Sequence, residues 1–179
     1  MTEYTKELII GDKYYPVSFD LTNQVSMDVP RIVNTLRGST PVSELIIHES
    51  VTRDRATTLR VLRRRRLGVH FIIDADGSVT QHGDLIYDQM SHAGGMHNKR
   101  SVGIELVNPY YPKYLKAEGP WSLVIKARWA HKGEYVVPTT RQLHSLAMLI
   151  KKLTSIKTAG FDIPLTWVPL DEKKNRLPM

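Results

Sequence analysis

The 179-residue sequence contains no cysteine. That excludes a disulfide framework, a cysteine-based zinc finger, an iron–sulfur centre and a thiol nucleophile. It leaves the redox compartment open, because a cysteine-free chain persists in either environment. Long apolar runs are missing too, and none approaches the roughly 18 residues of a membrane-spanning helix. Met1 to Lys6 lead into only three apolar residues, Leu8 to Ile10, where a secretory signal would carry a longer hydrophobic stretch. Synthesis in the cytoplasm without a signal peptide is therefore expected, with another route out if the protein acts outside. Internal repeats and low-complexity tracts are absent. Acidic residues are outnumbered, 18 against 25 lysines and arginines, for a formal net charge of +7. An anionic partner is implied, and nucleic acid, an anionic cell-wall polymer and a membrane surface all qualify.

What is present is ordinary for a globular chain: 41% hydrophobic and 24% charged residues. A domain of this length buries roughly 70% of the surface its unfolded chain exposes, enough to fold alone. Leu8-Ile9-Ile10, Gly11-Asp12 and Tyr14 to Val17 read as a hairpin. A short helix is expected near Arg31 to Leu36, with Pro30 in its first turn and Gly38 at its end. Glu44 to His48 reads as a buried strand. Asp54 to Arg66 has helical composition, ended by Gly68. Val69 to Ile73 and Ser78 to His82 read as a second hairpin around Asp74 to Gly77, and Ser101 to Val107 as another strand. Residues 109–138 form a long connection rich in Pro, Tyr, Trp and Lys, a length that marks a functional loop or an insertion. Thr139 or Thr140 caps a helix expected to reach about Thr158, with Leu143, Leu146, Ala147, Ile150 and Leu153 on its apolar face and Gly160 after it. Phe161 to Met179 carries no clear element. Interleaved strands and helices predict a single α/β domain with a central mixed sheet flanked by helices. The expected organisation is a lead-in over 1–42, a main domain over 43–160 and a tail over 161–179.

Four polar residues interrupt apolar patterns. His48 closes a strand, His70 lies inside one, His92 sits in a small-residue loop, and Glu105 falls in Val-Gly-Ile-Glu-Leu-Val. A carboxylate in an apolar strand costs several kcal/mol if unpaired. Glu105 must face solvent, pair with a cation, or occupy a cleft with a raised pKa. Each histidine alone is more often structural than functional, and the spacing 48, 70, 82, 92, 97, 131, 144 holds no local metal signature. Seven arginines between residues 53 and 66 face a single acid, Asp54. They cannot all share one helix face, so a solvated surface and a phosphate-binding patch are both open readings.

The order of the pieces adds to this. Leu45-Ile46-Ile47-His48-Glu49-Ser50 is followed by a helix and by Leu67-Gly68-Val69-His70-Phe71-Ile72-Ile73-Asp74-Ala75-Asp76-Gly77. Then come Ser91-His92-Ala93-Gly94 and His97-Asn98-Lys99-Arg100-Ser101-Val102-Gly103-Ile104-Glu105-Leu106-Val107. Across residues 43–158 this resembles the type 2 N-acetylmuramoyl-L-alanine amidases, which include phage lysozyme-type amidases and animal peptidoglycan recognition proteins. The resemblance implies a mixed sheet with a groove for peptidoglycan, and a zinc ion in active members. It implies hydrolysis of the amide between N-acetylmuramic acid and the L-alanine of the stem peptide, as in a phage or bacterial endolysin. It makes His48 the first zinc ligand and Glu105 the catalytic acid/base, and it places His70, His92 and Asn98 around the groove as substrate-binding residues. Peptidoglycan is the implied partner, without specific nucleic acid or membrane insertion. A nucleic-acid role for the Arg53 to Arg66 helix is the remote alternative.

The sequence also departs from that pattern. The family's remaining ligands, a His after a Gly and an Asp or Cys about ten residues later, follow the long helix. Here no histidine follows His144, and Asp162 and Asp171 stand outside the expected context, as do Lys173 and Lys174. Val69 stands where another branch carries a catalytic tyrosine, so acid/base work falls to Glu105. Three explanations are open: a chain that continues past Met179, a divergent site, or a pseudo-amidase that binds peptidoglycan without cleaving it.

Overall fold

The computed structural model describes residues 6–23, 34–116 and 119–166. Its elements in chain order are β1 (Glu7–Ile10), β2 (Lys13–Pro16), β3 (Leu21–Asn23), β4 (Asn34–Leu36), β5 (Glu44–Glu49), α1 (Arg55–Arg64), β6 (Phe71–Ile73), β7 (Val79–Gln81) and β8 (Asp88–Met90). They continue with α2 (Gly95–Arg100), β9 (Ser101–Leu106), β10 (Val124–Lys126), β11 (Glu134–Val136), α3 (Thr140–Ser155), β12 (Lys157–Thr158) and β13 (Phe161–Asp162).

The central sheet has the order β3-β7-β6-β9-β5. β6 and β7 are antiparallel, while β3–β7, β6–β9 and β9–β5 are parallel, so the sheet is mixed as expected. Strand β9 runs between β5 and β6 and is buried along its whole length. Alternation along it serves two layers. Val102, Ile104 and Leu106 join Phe71, Ile73, Leu149 and Leu153 in the main core beneath α3. On the other face, Ile72 and Val107 pack with Leu62 and Val69 beneath α1. Leu8 and Ile10 of the N-terminal hairpin and Phe161 and Ile163 near the C-terminus belong to the same main core.

Helix α1 starts where Asp54 caps it by accepting from the Thr57 N–H at 2.7 Å. Helix α3 starts with a full capping box between Thr139 and Gln142. Three expectations are corrected. Asn34 to Leu36 is a strand paired with β8 instead of the end of a helix, and Arg31 to Val33 lie outside the described residues. The long helix ends at Ser155, and Lys157-Thr158 pairs with Phe161-Asp162 in a ribbon that Val42 also bridges. Its buried stripe is Gln142, Ser145, Leu149 and Leu153, rotated from the expected one, and Leu143 is exposed. Two polar residues break the apolar pattern because they are hydrogen-bonded in place. Gln142 donates to the carbonyls of Ile73 and Val107, and Ser145 to that of Gly77. Helix α2 is an element the pattern did not give, and the stretch Phe161 to Met179, expected without an element, opens with β13, its residues 167–179 lying outside those described.

Candidate functional site

Parallel pairing of β5 and β9 sets His48 beside Glu105, and β6 sets Ile72 on the other side of Glu105. Neighbours in register project to the same face, so both polar side chains rise on the α1 side of the sheet. They line a cavity of about 570 Å³ together with Glu49, His92, Arg64 and Arg65. Leu62, Leu67 and Val69 supply its apolar wall. The loss of helix order after Arg65, where Arg66 takes a left-handed conformation, turns the chain at this wall.

Glu105 is 6% exposed. The reading that placed it on a solvent-facing strand position is overturned, because α1 covers that face. Burial pushes its carboxyl up to about 7, the charge of Glu49 pushes the same way, and Arg65 opposes them. Glu49 is itself raised by burial, against hydrogen bonds from Tyr135 and Asn108. The Tyr135 hydroxyl donates to Glu49 Oε1, which ties β11 of the long connection to the cavity. Asn108 Nδ2 donates to the Val136 carbonyl at 2.8 Å and fixes the same strand.

His48 and His92 meet edge to face, and His48 Nε2 lies 3.1 Å from His92 Nδ1. Ser101 Oγ donates to the His97 carbonyl and lies 3.1 Å from His92 Nε2. The serine proton is thus used, so His92 donates through Nε2 and accepts at Nδ1, which makes His48 the Nε2–H tautomer. Burial lowers both imidazoles, and it brings His92 to about 4 with help from His48, Arg37 and His97. Gly103 makes room for this arrangement. A Cβ there would stand 2.8 Å from the His92 ring, so a strand glycine marks a close approach.

His70 is fully buried, and it is not on the cavity wall. Its Nδ1 accepts from the Gly103 N–H at 3.0 Å, which leaves Nε2–H to donate to the Asp88 carbonyl at 3.0 Å. Burial, then Arg37, brings its pKa to about 3. Asn98 also lies behind the cavity: its Oδ1 accepts from the N–H groups of His92, Ala93 and Gly94 and shapes the loop that carries His92. Sequence reasoning missed Arg37. This buried side chain donates to the carbonyls of Asn98, Lys99, Asp88 and Ser101 and holds β8 and the α2–β9 junction together. It also missed Glu49, whose only signal was a second polar residue at the end of an apolar strand, and Tyr135.

Among the described residues, no group of three His, Asp or Glu side chains converges to hold a metal ion. His48 Nε2, the atom facing His92, carries a proton in this network and so has no lone pair to give. The donor set described does not fit a zinc site. Asp162 pairs with Lys157 on an exposed ribbon, His144 is exposed on α3, and Asp171 lies outside the described residues.

Residues 38–164 match the model of a family described as N-acetylmuramoyl-L-alanine amidase. Among solved structures, the N-acetylmuramoyl-L-alanine amidase LysC from Clostridium intestinale URNW is similar at 18% identity and a TM-score of 0.52, over 82% of each chain. The endolysin amidase LysCS from the same organism is similar at 18% identity and a TM-score of 0.50, over 80% of this chain and 78% of that one. Drosophila PGRP-LB gives 19% identity and a TM-score of 0.47, over 79% of this chain and 76% of that one. The likeness to LysC and LysCS is one of fold. No curated protein matches the chain by sequence.

Proposed function

This chain belongs to the N-acetylmuramoyl-L-alanine amidase family, and from that premise we propose that it acts on peptidoglycan, hydrolysing the amide between N-acetylmuramic acid and the L-alanine of the stem peptide. The observation that carries this reading is Glu105, a buried carboxyl with a pKa near 7 on the wall of a cavity that also holds His48 and His92. A group of that pKa both takes and returns a proton at neutral pH. Ionised Glu105 removes a proton from a water whose oxygen adds to the lactyl carbonyl carbon. The adduct collapses by breaking the C–N bond, and Glu105 returns the proton to the alanine nitrogen. A lactyl carboxylic acid and a free amine result. Arg64 and Arg65 at the rim complement the carboxylates of a stem peptide. His70 and Asn98 act through His92, by holding its loop and the strand beneath it. The charge of +7 favours approach to an anionic cell wall.

No step is routed through zinc, because the described donors do not make a three-ligand site. Zinc use with His48 as first ligand would need ligands beyond the described donors, and transfer of the His48 proton away from Nε2 as its hydrogen bond to His92 opens. The same observation favours a second reading, a binder of peptidoglycan that does not cleave it. Incubating the full chain with purified peptidoglycan separates the two. Release of new alanine N-termini, lost in Glu105→Gln and His48→Ala and accompanied by about one zinc per chain, supports the zinc amidase. Retention of peptidoglycan without release or zinc supports the binder.

A further inference from the structure

The connection over residues 109–138 carries a feature that the hydrolytic site does not use. Five of its six aromatic side chains, all but Trp121, form one continuous cluster. Trp129 and Tyr135 have ring centroids 4.8 Å apart, Tyr135 and Tyr110 5.3 Å, Tyr110 and Tyr111 4.7 Å, and Tyr111 and Tyr114 5.8 Å. Tyr135 ties the cluster to the cavity, since its hydroxyl is bonded to Glu49 on the cavity wall. One end of it reaches solvent at Trp129, a residue 67% exposed. An indole with that exposure, held against a second ring, is a patch that normally marks a binding surface.

The chemistry around the patch selects among ligands. Aromatic faces attract cations, but here Lys113 already lies over Tyr114 at 4.7 Å and over Tyr111 at 5.7 Å. Within residues 126–134, Lys126, Arg128 and Lys132 outnumber the one acid Glu134, a balance that disfavours a cationic ligand. A flat, uncharged ring with C–H groups on its face and hydroxyls at its edge suits both features. Its C–H groups meet the negative face of the indole, and its hydroxyls meet the lysine donors. A pyranose ring has that form. Continuity with the cavity supplies the geometry: a sugar polymer with its peptide-bearing unit over Glu105 would extend naturally along Tyr135 to Trp129.

We propose that Trp129, backed by Tyr135 and through it by Tyr110, is a glycan-binding subsite that stacks a hexosamine ring of a polysaccharide strand lying next to the cavity. This subsite rests on the peptidoglycan reading and assigns the long connection the task of holding the polymer, separate from the chemistry at Glu105. Trp129 is too exposed for its removal to disturb the core.

The test uses the full chain and two probes: glycan strands stripped of their stem peptides, and a soluble muramyl tripeptide that carries one sugar. Trp129→Ala is expected to weaken retention of the stripped glycan about five- to tenfold, the size of one stacking contact. Trp129→Phe should restore most of it. Binding or cleavage of the muramyl tripeptide should be unchanged in both variants. Equal glycan retention by wild type and Trp129→Ala would overturn the subsite, as would an equal loss on both probes. If wild type neither binds nor cleaves the tripeptide yet holds the glycan through Trp129, the amidase reading fails and the subsite stands.

Discussion

His48 Nε2 and His92 Nδ1 lie 3.1 Å apart across 44 positions of sequence, each ring neutral and each nitrogen assigned by the Ser101 hydroxyl on the other side of His92. The pair is a hydrogen-bonded unit in this state. Burial beside Arg37 keeps His92 near 4, so it should remain neutral at pH 5. Nitrogen-15 spectra of the imidazoles are expected to show Nε2–H tautomers for both rings at pH 6. A protonated His92 at pH 6 would contradict the network. Ser101→Ala should release the tautomer of His92 and broaden both signals.

Glu105→Gln should lower the rate of stem-peptide release by about 10²–10⁴-fold, the range for loss of a general base. The wild-type rate should rise with pH through about 7, where the carboxyl ionises. Glu49→Gln removes the neighbouring negative charge that helps to raise Glu105, so the rising limb should move to lower pH. A limb that stays in place would show that another group controls it.

The same carboxyl sets a pH dependence of stability. Its folded pKa of about 7 lies above the ordinary 4.5, so the folded state holds the proton more tightly. That contribution is complete below about pH 4.5 and is lost as pH rises through 7. Glu105→Gln should therefore melt above wild type at pH 8.5, by an amount on the order of 3 kcal/mol at most, with the gap closing toward pH 5. Thermal melts at the two pH values check the sign.

Gly103→Ala should be costly although it sits in a regular strand. The new Cβ meets the His92 ring at 2.8 Å, and both neighbouring strands fix the backbone. We expect a loss of about 1–3 kcal/mol in urea unfolding and displacement of His92. An alanine accepted without shift of the His92 resonances would mean that the ring is not held against the strand.

Arg37→Ala should destabilise the fold by about 3 kcal/mol or more, because several buried carbonyls lose their donor at once. Arg37→Lys should recover only part, since one ammonium cannot replace a planar fork. A fall in stability without a change in the His92 environment would separate the scaffold role of Arg37 from its proximity to the site.

Much of the sheet was legible in the sequence because it follows local rules. Glu44 to Glu49, the hairpin around Asp74 to Gly77, and Ser101 to Leu106 are apolar runs bounded by turn residues. Thr139 announced its helix by capping, and α1 was legible from its composition. The errors came where tertiary partners replaced local pattern. Gln142 and Ser145 are polar and fall outside the expected apolar face, yet they are buried because backbone carbonyls of other elements satisfy them. Asn34 to Leu36 became a strand because β8 offered it an edge.

For the site, the sequence by itself determined which residue types were out of place: a histidine ending a strand, a histidine in a small-residue loop, a carboxylate among aliphatics. Those conflicts with pattern are local, and they are visible without a fold. Only the tertiary structure decided what each one does, because burial and distance are not local. The register of β5 against β9 put Glu105 beside His48, the cover of α1 raised its pKa, and Ser101 fixed the protons on His92 and His48. The same packing put His70 and Asn98 behind the cavity and brought in Glu49, Arg37 and Tyr135, whose roles come from partners 51 to 86 residues away.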